Sequence, residues 1–172
     1  EKWDLLLNQM SPNEMVNLVT LGGFHREAIA SIGTPHQNDY DGPAGFNTNS
    51  LTGQFGGETM DKETWTAYPS EALMGCSWNK DLMFELGRSM GAEADKTAID
   101  GWYAPGVNLH RNAYLGRNYE YYSEDGVLSG KLAAKVIYGA KTNGLTCYLK
   151  HFVSSDSGDN PRGTDTWMTE QN

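Results

Sequence analysis

The chain has 172 residues, of which 38% are hydrophobic, a size and an apolar share that suit one domain with a sizeable core. Its net charge of -9 argues against nucleic acid as a partner, because phosphate binding needs a basic face. No run of about 18 apolar residues is present, so no transmembrane helix and no membrane partner are expected, and nothing near Glu1 has the charged-then-apolar shape of a signal peptide.

In chain order, Ser11-Pro12-Asn13-Glu14 has the form of a capping box with Pro at the first helical position, so a helix begins there. Its apolar residues Met15, Val16 and Val19 share a face, and Gly22-Gly23 ends it. Thr34–Asp41 reads as a short, polar strand closed by the turn residues Gly42-Pro43. An irregular stretch from Ala44 to about Ser77 follows, and loops of that length are usually functional. Asn79 caps a second helix in which Leu82, Leu86 and Met90 recur every four residues. Trp102-Tyr103-Ala104 reads as a second strand, ended by Pro105-Gly106. Ser123 is expected to cap a third helix, with Glu124 and Asp125 in its first turn and Leu128, Leu132, Val136 and Ala140 as its buried stripe. Asn143-Gly144 closes that helix, Leu145–Phe152 is the third strand, and a further helix is expected to start at Thr169-Glu170-Gln171.

Strands separated by helices imply parallel βαβ units and an α/β fold class. A closed (β/α)8 barrel takes about 250 residues, so residues 1–172 are expected to form an incomplete TIM-type barrel domain with the first three or so βα units. The alternative is a small open α/β sheet. No glycine-rich phosphate loop supports a nucleotide fold, since Gly53-Gln54-Phe55-Gly56-Gly57 lacks the spacing and a preceding strand.

In a parallel barrel the C-terminal strand ends open onto one face, and active sites lie there. Asp41 then ends the first strand, Arg117 lies in the loop after the second, Lys150 and His151 end the third, and Arg162 lies in the loop beyond it. One carboxylate, two or three cations and an imidazole can bind a polyhydroxylated ligand, because charged groups make the stronger hydrogen bonds and each hydroxyl both donates and accepts. Each residue has a plainer reading. Asp41 before Gly-Pro can simply start a turn, Arg117 can pair with Glu120 or Glu124, Arg162 can be a solvated loop residue, and His110 and Arg111 can brace the loop.

Other chemistries have less support. His110, His151, Asp156 and Asp159 show no metal-ligand spacing, so neither a metal nor another cofactor is expected. No Gly-x-Ser-x-Gly elbow is present. Asp39 and Asp41 share a strand face, but one strand end seldom supplies both carboxylates of a glycosidase pair. Cys76 and Cys147 lie in apolar sequence; buried free thiols are expected, which tilts the compartment towards the cytoplasm.

Asp41-Gly42-Pro43-Ala44-Gly45, Tyr68-Pro69-Ser70 leading to Ser77-Trp78-Asn79, Pro105–Asn112, Gly116–Asp125 and Lys150-His151-Phe152 occur together and in this order. On these residues the chain resembles glycoside hydrolase family three, the family of many β-glucosidases. Thr166–Gln171 is similar to its bacterial β-glucosidase branch, which includes members of permuted domain order.

The resemblance implies that Asp41, Arg117, Lys150 and His151 hold hydroxyls of the glycone in the innermost subsite, with Arg162 a fifth contact. It also implies a cis peptide at the Lys-His-Phe motif. Val153-Ser154-Ser155 stands where the hexosaminidase branch carries Pro-Gly-His-Gly, which favours the glucosidase type. The segment before Arg162 departs from the family's spacing. The family's nucleophile is an Asp on a later barrel strand, and its acid/base Glu commonly comes from a second domain; neither is in this chain. The implied partners are therefore a β-glucoside or small oligosaccharide and the remainder of the same enzyme, namely the rest of the barrel and a second domain. The implied function is the sugar-binding half of a retaining, exo-acting β-glucosidase, with a non-catalytic carbohydrate-binding piece or a β-xylosidase as alternatives.

Overall fold

The computed structural model describes residues 1–47, 65–152 and 167–171. Two helices open the chain, α1 (Lys2–Leu7) and α2 (Pro12–Thr20). α2 starts as its capping box predicts: Glu14 N donates to Ser11 Oγ at 3.3 Å, and Ser11 N donates to Glu14 Oε2 at 2.8 Å. Neither helix buries a residue. Met15, Val16 and Val19 lie open to solvent, because nothing among the described residues covers them.

The sheet has four short strands in the order β1 (His25–Arg26), β2 (Gln37–Asp41), β3 (Gly101–Tyr103) and β4 (Thr146–Cys147). β2, β3 and β4 are parallel, with Asp39 opposite Gly101 and Trp102 opposite Cys147. Helices α3 (Glu71–Gly75) and α4 (Lys80–Lys96) lie between β2 and β3 in sequence, and α5 (Gly126–Lys141) between β3 and β4. Three parallel strands with helical crossovers are part of a (β/α)8 barrel. β1 is an addition the sequence did not predict, running antiparallel to β2.

Two strand boundaries differ from expectation. The first strand begins at Gln37, not Thr34, because Thr34 folds back to exchange hydrogen bonds with Ile29, and Pro35 has no N–H to offer. The third is regular only over Thr146–Cys147. Tyr148 N still donates to Trp102 O, but Ala104 N turns back onto Trp102 O, and pairing resumes through Lys150 N to Pro105 O at 3.0 Å and Val107 N to Lys150 O at 2.7 Å.

The core lies between the sheet and the α4–α5 pair. Tyr40 and Trp102 enter it from the strands, Met83, Met90 and Ala94 from α4, and Leu132, Val136 and Ala140 from α5. A Cβ on Gly87 would stand 2.0 Å from Val136 O, and one on Gly139 2.1 Å from Phe84 O, so the two backbones touch where only glycine fits. This moves the buried face of α4 to Met83, Gly87, Met90, Gly91 and Ala94. Leu82 is consequently exposed and Leu86 half-buried, a correction to the leucine-based stripe. The stripe of α5 is as expected, with Leu128 half-buried at its edge.

The cap of α5 is Asp125, not Ser123. Asp125 Oδ1 accepts from Val127 N at 2.7 Å and Leu128 N at 3.1 Å, while Ser123 Oγ accepts from Asp125 N one step earlier. Glu170 and Gln171 lie in a turn, and no helix starts within residues 167–171. Cys76 is exposed rather than buried, and Cys147 is half-buried with its thiol pushed up to about 12 by burial; both are free.

Candidate functional site

Alternation along the strands sends Tyr40 and Trp102 towards the helices, and it sends Asp39 and Asp41 to the opposite face. There Asp41 meets Lys150, which lies 109 residues away in sequence: Lys150 Nζ donates to Asp41 Oδ1 at 2.7 Å. Asp41 also begins a turn, since its Oδ1 accepts from Gly42 N at 2.8 Å. The turn requires glycine. Gly42 has φ of +122°, and a Cβ there would stand 1.8 Å from Gly45 O. Trp102 Nε1 pins the turn from inside the core by donating to Gly42 O at 2.9 Å. Asp41 thus both starts a turn and faces Lys150 at the strand end.

A second carboxylate completes the setting. Glu120 is buried in the short helical turn Asn118–Glu120. Its Oε1 accepts from Arg117 Nε, and its Oε2 lies 3.5 Å from Lys150 Nζ. Lys150, 12% exposed, therefore stands between two carboxylates, which is how a lysine tolerates burial. Of the two partners expected for Arg117, the structure selects Glu120, whose hydrogen bond pushes the guanidinium pKa up further.

His151 joins the cluster through Arg117. Its Nε2 lies 2.9 Å from Arg117 Nη2 and its Nδ1 2.8 Å from Tyr121 Oη. A guanidinium only donates, so Nε2 accepts, Nδ1 carries the proton, and the ring is neutral. Its pKa is held below the usual histidine value, first by burial and then by the charges of Arg117 and Lys150. Asn108 Oδ1 accepts from His151 N at 2.7 Å, and the peptide between Lys150 and His151 is cis. His110 is a brace, with Nε2 2.8 Å from Tyr121 O.

Beneath lies Glu71, 1% exposed, whose two oxygens accept from Gly106 N at 3.1 and 3.0 Å. Burial holds its carboxyl well above the ordinary carboxylate range. It ties down the Pro105-Gly106 turn, the same turn that pairs with the Lys150 backbone. A cavity of about 580 Å³ opens over this cluster. Asp41, Glu71, Arg117, Tyr119 and Glu120 line it, with parts of the segments 42–47 and 65–67; Lys150 and His151 stand behind Asp41, Glu120 and Arg117.

Four of the five residues singled out from the sequence, Asp41, Arg117, Lys150 and His151, thus converge. Arg162 lies outside the described residues, as do Asp156 and Asp159. Among the described residues, no three His, Cys, Asp or Glu side chains are grouped to hold a metal. Sequence reading missed Glu71, Asn108 and Tyr121, and it took Glu120 only as one of two ion-pair partners for Arg117. The spacing Arg117-x-x-Glu120 carried a signal, because three residues bring two side chains to one side of a helical turn.

The sequence profile described as "Glycosyl hydrolase family 3 N terminal domain" matches residues 32–172. Beta-glucosidase A of Butyrivibrio fibrisolvens is 36% identical over 143 residues, which are 83% of this chain and 16% of that protein. An exo-alpha-(1->6)-L-arabinopyranosidase of Bifidobacterium longum is 33% identical over 141 residues, 80% of this chain and 18% of that protein. The structure of beta-glucosidase 3B from Thermotoga neapolitana in complex with glucose superposes with a TM-score of 0.75 at 32% identity, covering 91% of this chain and 24% of that one. The chain thus spans between 16% and 24% of the length of these relatives. Because the profile match takes in β2, β3, β4 and every member of the polar cluster, the chain belongs to glycosyl hydrolase family 3, within the part described as its N-terminal domain.

Proposed function

We propose that residues 1–172 are an incomplete barrel domain forming the sugar-binding half of a retaining, exo-acting β-glucosidase, whose nucleophile and acid/base lie in sequence outside this chain. The observation that carries this reading is the Asp41–Lys150–Glu120–Arg117–His151 network at the C-terminal ends of three parallel strands. Its chemistry suits a polyol. Lys150 has three N–H bonds, of which two face Asp41 and Glu120, and Arg117 has five, with one on Glu120 and one on His151. A hydroxyl can then donate to Asp41 while a neighbouring hydroxyl accepts from Arg117, and such charge-assisted bonds are stronger than neutral ones. Lys150 holds the Asp41 carboxylate in place, and neutral His151 holds the guanidinium.

Held this way, the anomeric carbon is presented to a carboxylate from the remainder of the enzyme. A glycosyl-enzyme intermediate forms, and water then releases the sugar. The homologous enzymes named beta-glucosidase and the glucose-bound relative support the glucoside assignment.

The test is a polypeptide extended past Asn172 to the length of the relatives, assayed on aryl glycosides. Hydrolysis of an aryl β-glucoside is expected, with Arg117→Ala and Lys150→Ala each losing on the order of 100-fold or more in kcat/KM. Wild-type rates in both variants would overturn the site assignment. Faster turnover of an aryl β-xyloside or an aryl α-L-arabinopyranoside would reassign the sugar. An inactive polypeptide that binds glucose by calorimetry would favour a non-catalytic carbohydrate-binding role.

A further inference from the structure

The glycone-binding reading assigns a task to Asp41, Arg117, Lys150 and His151 but none to Glu120. Glu120 is 6% exposed and lies on the cavity wall, with one oxygen on Arg117 Nε and the other 3.5 Å from Lys150 Nζ. It reaches both cations at once. Of these two cations, Asp41 reaches Lys150 alone among the described contacts, and His151, which also meets Tyr121 Oη, reaches Arg117. Without Glu120, Arg117 would be located by one neutral imidazole, and Lys150 by one carboxylate that must also accept from Gly42 N and from the sugar.

Charge points the same way. Asp41 and Glu120 balance Lys150 and Arg117, and His151 is neutral, so the cluster carries no net charge. Neutralising Glu120 leaves one excess positive charge beside the bound sugar, in a partly buried site where charges act more strongly than in water. Glycoside hydrolysis passes through an oxocarbenium-like transition state. An uncompensated cation disfavours that state more than it disfavours the bound neutral sugar.

We propose that Glu120 is a positioning residue for glycoside cleavage: it orients Arg117 and Lys150 as one rigid pair of hydroxyl donors and cancels their charge where positive charge develops. This rests on the glycone-binding reading above. Glu120 acts through the two cations, so its effect falls on the chemical step as well as on affinity.

The experiment uses the extended, active polypeptide with Glu120→Gln, Glu120→Asp and a Glu120→Gln/Arg117→Ala pair, assayed on an aryl β-glycoside with folding checked by circular dichroism. Glu120→Gln keeps the shape and an acceptor for Arg117 Nε but removes the charge. It is expected to lower kcat on the order of 100-fold while KM changes by only about threefold. Glu120→Asp keeps the charge one methylene short and is expected to recover about tenfold of that loss. In the pair, the second substitution is expected to add much less than its single effect, because residues acting as a unit are not additive. A folded Glu120→Gln variant within twofold of wild-type kcat, or strict additivity in the pair, would overturn the proposal. If Glu120→Gln does not fold, Glu120→Asp carries the test, and unchanged kcat in it would equally overturn the proposal. An inactive wild-type polypeptide would count against the β-glucosidase reading itself, which keeps the two failures distinct.

Discussion

Lys150 and Asp41 are 109 residues apart in sequence and 2.7 Å apart in space, whereas the Ser11–Glu14 and Thr20–Val16 hydrogen bonds of α2 span three and four residues. The strand-end cluster is assembled from the ends of β2 and β4 and the Arg117–Tyr121 segment that follows β3, so beyond the local Arg117–Glu120 pair it does not exist before the sheet and its crossovers do. Among the described residues, the α1–α2 segment keeps its own caps, buries Met10 between the helices, and is tied further along the chain by Ser31 N to Glu14 Oε1 at 3.0 Å. It keeps Trp3, Leu5, Val16 and Val19 exposed. The difference teaches where substitutions are felt. In the cluster, removing one group strands several others; in α2, it removes one contact.

The largest break is expected at Lys150. Lys150→Met leaves the carboxylates of Asp41 and Glu120 facing each other without their shared cation. Because Lys150 is 12% exposed, a loss of about 3–5 kcal/mol is expected on urea denaturation of the extended polypeptide. A midpoint indistinguishable from wild type would mean that the pair contributes nothing to folding. By contrast, Ser11→Ala removes only the α2 cap, and about 1 kcal/mol is expected. Val19→Ser, at a residue 82% exposed, should change stability by less than about 0.5 kcal/mol. A large effect at Val19 would show that the open face of α2 is covered in the extended polypeptide.

The pH response sharpens the contrast further. The pKa of His151 lies below its ordinary value near 6.5, because burial and the charges of Arg117 and Lys150 oppose protonation. The unfolded chain then binds this proton more readily than the folded one. The contribution is fully present above about pH 6.5 and declines as pH falls through the lowered folded value. It is smaller than the Lys150 effect, since His151 is only half-buried and water screens it. Urea midpoints from pH 7.5 to 5 should fall more steeply for wild type than for His151→Gln; parallel slopes would show that His151 titrates as in the unfolded chain.

Much of the fold was readable because the signals are local. The capping box at Ser11, the cap at Asn79 and the stripe Leu132–Val136–Ala140 each depend on neighbours within a few turns. Readings failed where a contact across the fold outweighed the local pattern. α4 presents Gly87 and Gly91 to α5, so its leucines do not mark its buried face. Asp125 displaced Ser123 as a cap because both residue types cap well, and the backbone places the Asp side chain in reach of two amides. β1 was missed because two residues cannot show a period.

The sequence by itself determined the parallel α/β class, the motif order that names the family, and the strand ends and loop that carry Asp41, Arg117, Lys150 and His151. The class and the strand ends follow from local periodicity and from the rule that parallel strands open their C-terminal ends on one face, and the family follows from the resemblance of the motifs. Only the tertiary structure decided which carboxylate each cation meets, that His151 is neutral with its proton on Nδ1, and that Glu120 and Glu71 belong beside the cavity. The reason is physical. Hydrogen-bond roles and pKa values depend on distance, burial and the order of charges in space, and strand crossovers bring together residues whose separation along the chain says nothing about their separation in the fold.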